Sequence, residues 1–74
     1  MKTYILYVQI MNLGKQKDGL VASNFDAKNL ELVPIKCTDK AKLFPSIDAA
    51  KQFIEYIKKL DYVGLKFSEI YELE

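Results

Sequence analysis

Between Ser46 and Leu60 the apolar residues Ile47, Ala50, Phe53, Ile54, Ile57 and Leu60 recur at steps of three and four. That spacing gathers them on one side of an α-helix, with Asp48, Lys51, Gln52, Glu55, Lys58 and Lys59 on the other. A helix with one apolar stripe must lay it against a second layer, so the rest of the chain has to supply a matching surface. The ends of the helix are marked as well. Ser46 can accept a hydrogen bond from an early helical amide as N-cap, and Asp48 suits the positive end of the helix dipole. Lys58 and Lys59 suit the other end, and Glu55 with Lys59 has the favoured i,i+4 order.

The matching surface comes from strands. Thr3 to Ile10 is rich in β-branched and aromatic residues and reads as the first strand. Tyr4, Leu6, Val8 and Ile10 form one wholly apolar face, while the alternate set Thr3, Ile5, Tyr7 and Gln9 is half apolar, as in a central strand covered partly on both sides. Met11 to Gly19 reads as a connection, with Asp18-Gly19 as the turn signal before a short strand over Leu20 to Asn24. Asp26 to Asn29 makes the next turn, and Leu30 to Lys36 the third strand, which should lie at an edge or break at Pro34 because proline has no amide hydrogen to give to a ladder. After a turn at Asp61 to Gly64, Leu65, Phe67, Tyr71 and Leu73 alternate with Lys66, Ser68, Ile70 and Glu72 as a final strand, and Glu69 interrupts its apolar face. The expected fold is α+β in β-β-β-α-β order. It is a three- or four-stranded, mostly antiparallel sheet with the amphipathic helix on one face, in a single domain over 1–74.

A chain of 74 residues sits near the lower limit for a self-sufficient core, so a stabilising partner, including a second copy, belongs among the expectations. The lone Cys37 excludes an intramolecular disulfide and suits a reducing compartment, where it serves as a small hydrophobe. No segment is long enough to span a membrane. The opening apolar run is short, lacks a small-residue cleavage site and supplies strand residues, so it reads as part of the domain and not as a leader.

The chain has no His and no Arg, which removes the commonest general base and metal ligand and leaves Ser23, Ser46 and Ser68 without an activating partner. Gly14, Gly19 and Gly64 match no phosphate-binding loop, and no cofactor or metal is expected. The reading is non-enzymatic. Lys15, Lys17, Lys58 and Lys59 are the residues a nucleic-acid interface would use. The net charge of +1 and the absence of arginine forks speak against that alternative.

Three features point to a protein partner. Ile5 and Tyr7 on the second face of the first strand, joined by Ile70 of the last strand, form either an apolar docking patch or a surface covered by a loop such as 11–18. Glu69, Glu72 and Glu74 concentrate negative charge in the last strand: seven lysines face four acids up to Phe44, but four lysines face six acids from Pro45 onward. Leu43-Phe44 resembles the end of short peptides that dock on the bacterial sliding clamp, although Lys40 stands where those peptides begin with Gln; packing of the helix entrance is the other use of this pair.

The cadence Thr38-Asp39, Ala41-Lys42-Leu43-Phe44, then Ser46, Ala50 and Phe53-Ile54 feeding a closing strand resembles small early proteins of phages that infect low-GC Gram-positive bacteria. An abundance of Lys, Asn, Ile, Tyr and Phe fits an AT-rich source of that kind. Within that group the chain is similar in size and character to the phage Twort type of inhibitor of the host replication sliding clamp. The resemblance implies a cytoplasmic host-cell protein that occupies the DNA channel of the DNA-polymerase sliding clamp and blocks host DNA replication, with acidic groups in place of phosphates. It transfers no site residues.

Overall fold

The computed structural model describes residues 2–73. Four strands form one antiparallel sheet in the order β3-β2-β1-β4: β1 (Thr3–Asn12), β2 (Lys15–Val21), β3 (Leu32–Val33) and β4 (Val63–Leu73). The one α-helix among the described residues, α1 (Ile47–Lys58), lies between β3 and β4 in the chain, after a 3-10 turn at Thr38–Lys40. This is the expected α+β class and element order. No helix among the described residues is long and apolar enough to cross a membrane.

The helix forms where its signals predict. The Ser46 Oγ accepts from the Ala49 amide at 3.1 Å, Asp48 stands in the first turn and Lys58 in the last. Lys58 pairs with Glu55 at 3.2 Å, so the i,i+3 neighbour takes the carboxylate expected to meet Lys59. Both partners are exposed, and such a pair contributes little. Ala50 and Ile57 are fully buried against Leu6, Val8 and Ile10 of β1, with Phe53, Ile54 and Leu60 packed around them. Ile47, expected in the stripe, is exposed, because it occupies the first helical position beyond the edge of that packing. The Phe53 ring meets Phe25 at 5.6 Å and Phe44 at 5.4 Å between centroids, so two loops join the helix in one aromatic cluster. Truncating a fully buried aliphatic such as Ile57 to Ala costs about 2–5 kcal/mol, a large share of the stability of so small a domain.

The other face of the sheet carries a smaller core. Ile5, Leu20, Ala22, Val33 and Ala41 are buried together, and Cys37, Tyr7, Tyr71 and Leu73 pack against them. The cover is the segment 34–41, not 11–18. Backbone bonds hold it in place: the Ser23 amide donates to Lys40 O at 3.1 Å, and the Lys42 amide to Val21 O at 2.8 Å. The chain then crosses to the helix face, where Phe44 exchanges two backbone hydrogen bonds with Tyr4, at 2.9 and 2.8 Å, and buries its ring among Leu6, Val8 and Phe25.

Several boundaries differ from the sequence expectation. The hairpin turn is Leu13-Gly14, not Asp18-Gly19. Asn12 pairs with Lys15, and both turn residues have positive φ, 51° at Leu13 and 79° at Gly14, as a two-residue turn of the I′ kind requires. Gly19 lies inside β2 for a different reason: a Cβ there would sit 2.7 Å from the Val33 carbonyl oxygen, so glycine permits the close approach of β3. β3 is only two residues long, since Pro34 follows it and the Leu30 side chain turns into the helix-side core. The Asp26 turn forms as expected, with the Lys28 and Asn29 amides donating to Asp26 Oδ1 at 2.8 and 2.7 Å.

The last strand begins two residues early and contains a bulge. Gln9 pairs with Phe67 but Ile10 with Leu65, leaving Lys66 as the extra residue. Val63 and Leu65 therefore join the helix-side core, while Phe67, Glu69, Tyr71 and Leu73 turn to the opposite face beside Gln9, Tyr7, Ile5 and Thr3. An uninterrupted alternation, as read from the sequence, would have kept Leu65 and Phe67 together.

Two substitutions test this backbone. Gly19→Ala should lower stability by roughly 1–3 kcal/mol through the clash with Val33 and its positive φ. Leu13→Asn should raise it by roughly 1 kcal/mol, since asparagine tolerates the left-handed region better. Urea unfolding followed by circular dichroism measures both.

Candidate partner-binding face

On the face of the sheet away from α1, alternate residues of β1, β2 and β4 come into register. Tyr7 lies between Leu20 of β2 and Glu69 of β4, and its ring packs edge-on against Phe67 at 6.2 Å between centroids and 68° between planes. The Tyr7 hydroxyl donates to Asp18 Oδ2 at 2.8 Å. The Tyr71 hydroxyl donates to Glu69 Oε2 at 2.9 Å. The result is a patch of aromatic rings whose polar ends are tied to carboxylates. Phe67, 46% exposed, is its most open apolar element. Amphipathic aromatics of this kind are enriched where one protein covers another.

The carboxylates also act on the phenols. The hydrogen bond to Asp18 is the main cause that raises the Tyr7 pKa above the ordinary value of 10.0, with Gln9 acting in the opposite sense. The hydrogen bond to Glu69 raises that of Tyr71 in the same way. In each case the carboxylate favours the protonated phenol that donates to it.

Of the residues singled out in the sequence, this face gathers Tyr7 and Glu69; Ile70, expected beside them, pairs with Leu6 and packs into the helix-side core, because the bulge at Lys66 reverses which residues of β4 face the helix. Ile5 is 2% exposed and forms the floor beneath Tyr71 and the segment 34–41, so it supports the face and does not present itself to a partner. Leu43 and Phe44 are separated in role: Leu43 is 57% exposed, whereas Phe44 is 4% exposed and belongs to the aromatic cluster under α1. A peptide-like docking of the pair would require Phe44 to leave the core. Glu72 points to the opposite side of the sheet from Glu69, since it pairs with Tyr4 on the helix face, and lies 3.6 Å from the Lys2 Nζ. Glu74 lies outside the described residues.

Phe67, Tyr71 and Asp18 complete the face, and sequence reasoning did not assemble them. Asp18 has the composition of a turn residue, next to a glycine. Phe67 was hidden by the bulge, although Lys66 between two large apolar residues was a usable sign that the alternation could slip there. Among the described residues no group of three or more His, Cys, Asp or Glu side chains could hold a metal ion. The chain matches no protein-family model, no characterised protein and no solved structure.

The raised phenol pKa values make a pH prediction. A folded-state value above the unfolded one means that the native chain holds the proton more tightly. That contribution to stability is complete below the unfolded value near 10 and is lost as pH rises through the folded one. NMR titration of the Tyr7 and Tyr71 rings should give midpoints above the ordinary tyrosine value, and Asp18→Asn should bring the Tyr7 midpoint back toward it.

Proposed function

We propose that this chain is a non-enzymatic protein that acts by binding another protein, through the face built from Tyr7, Phe67, Glu69 and Tyr71. The observation that carries the reading is the exposed Phe67 ring packed on Tyr7, on a face where the Tyr7 and Tyr71 phenols are each tethered to a carboxylate. Such a surface combines apolar contact area with fixed negative charge, which favours a partner bearing an apolar socket bordered by lysine or arginine.

The resemblance to small phage proteins supplies the specific form of the proposal. The chain would act in the cytoplasm of a low-GC Gram-positive host as an inhibitor of the DNA-polymerase sliding clamp, lying in its DNA channel and blocking replication, and it would self-associate. Supporting this version is the exposure of both Glu69 and Glu72 on one edge strand. Because they project to opposite sides of the sheet, they would meet basic groups on two walls of a channel and would not copy a single row of phosphates.

Binding of the purified chain to the purified host clamp, measured by calorimetry, tests the named target, and capture from host lysate tests the class. Phe67→Ala should weaken binding by more than about 1 kcal/mol. Glu69→Gln and Glu72→Gln should each cost roughly 0.2–1 kcal/mol and flatten the salt dependence. No clamp binding, together with no replication protein in the capture, would reject the clamp; unchanged affinity in Phe67→Ala would reject the face. A parallel titration with duplex and single-stranded DNA should show no binding that collapses with salt, which is the signature of phosphate contact.

A further inference from the structure

β4 is an eleven-residue strand with a neighbour on one side only. Which of its backbone groups are free follows from β1. Tyr4 exchanges its backbone hydrogen bonds with Phe44, on the side of β1 away from Glu72 of β4. Successive residues of a strand direct their amide and carbonyl to alternate sides. Thr3, Ile5, Tyr7 and Gln9 therefore direct theirs toward β4, and their partners Leu73, Tyr71, Glu69 and Phe67 direct theirs back. Ser68, Ile70 and Glu72 point outward, and among the described residues no backbone hydrogen bond outside the sheet reaches them.

Long open edges invite another strand, and proteins commonly blunt them with lysine, proline or a bulge. β4 has a lysine and a bulge at Lys66, which closes the first part of the edge. From Phe67 to Leu73 it has neither lysine nor proline. The second half of the strand is thus left able to pair.

The side chains of that half are self-complementary in one register. In a two-fold antiparallel pairing the outward residues must oppose one another, so the possible centres are few. Centred on Ile70, the pairing sets Ile70 against its own copy, Ser68 against Glu72, Phe67 against Leu73 and Glu69 against Tyr71. Apolar groups meet apolar groups, Glu69 meets the phenol of Tyr71, and Glu72 meets the hydroxyl of Ser68. A shift toward the start of the strand puts Glu69 against Glu69. A shift toward its end puts Glu69 against Leu73 and Ile70 against Glu72. A centre at Ser68 puts Phe67 against Glu69. Like charges or a charge and a hydrocarbon directly opposed weaken a pair of strands, whereas apolar and hydrogen-bonded pairs strengthen it.

We infer that two copies of this chain associate through the outer edges of β4, antiparallel and centred on Ile70, to form one continuous eight-stranded sheet. The inference deepens the self-association included in the reading above and is independent of any host target. The pairing brings the two Phe67–Tyr71 faces together into one extended surface on the side of the sheet away from the helices.

Purified protein alone suffices for the test, so its failure leaves the host-partner reading standing. Sedimentation equilibrium of the unmodified chain should show a monomer–dimer equilibrium; a monomer persisting to millimolar concentration overturns the inference. Register is read with a spin label at position 66 in a Cys37→Ala, Lys66→Cys chain whose fold is confirmed by circular dichroism. The two labelled sites are offset by eight residues along the strands, about 26 Å, against about 20 or 33 Å for the neighbouring registers, and either of those distances overturns the assignment. A second reading avoids position 37 altogether. Tyr71→Lys and Tyr71→Glu lose the same ring, but the first places a cation and the second an anion opposite Glu69 of the other copy. Their dimer dissociation constants should differ roughly tenfold or more, with lysine the tighter, and equal or reversed constants overturn the pairing.

Discussion

The fold depends on β1 being enclosed from every direction. It pairs with β2 on one side and with β4 on the other, it lays Leu6, Val8 and Ile10 under the helix, and it buries Ile5 on the opposite face. Each fully buried aliphatic contributes about 1.5–3 kcal/mol relative to exposure, so a single strand supplies much of what offsets the chain entropy of 74 residues. A sheet with only one covered face would have left Ile5, Leu20 and Val33 in water. The fold avoids this by giving one connection two tasks: Ala41 covers the lower face, and Phe44, three residues later, enters the helix-side core. Backbone bonds to β2 and β1 at each end of that crossing keep its amides satisfied.

What the sequence made legible was local. The helix from its Ser46 cap, the two-faced character of β1 and the Asp26 turn all arise from interactions within a few residues, and each forms as read. Misread features were set by partners distant in the chain. Asp18-Gly19 has the composition of a turn, yet the turn went to Leu13-Gly14, because that register pairs β1 with β2 continuously from Lys15 to Leu20. Gly19 answers to the Val33 carbonyl, which no window around Gly19 contains. β3 shrank for a related reason: Leu30 contributes more as a core side chain than as a rung of an edge ladder.

The candidate site divides along the same line. Tyr7 and Glu69 could be picked out because a tyrosine on the half-apolar side of a strand and a carboxylate interrupting an apolar alternation are visible in one dimension. Burial of Ile5 and Phe44 depends on the path of the segment 34–45, which no local pattern dictates. Phe67 depends on a single inserted residue.

That inserted residue, Lys66, has consequences beyond its own position. β4 must supply Val63 and Leu65 to the core beneath the helix, and a regular strand would then turn Phe67 the same way and Ser68, Ile70 and Glu72 to the other face. The bulge reverses the parity for the second half alone. Ile70 can then pack beneath the helix while Phe67, Glu69 and Tyr71 assemble with Tyr7 on the opposite face. The same insertion puts a cation and a twist on the first half of the outer edge and leaves the second half regular. One strand is thus divided into a half committed to stability and a half free to make contacts, and the boundary falls at the residue that belongs to neither register.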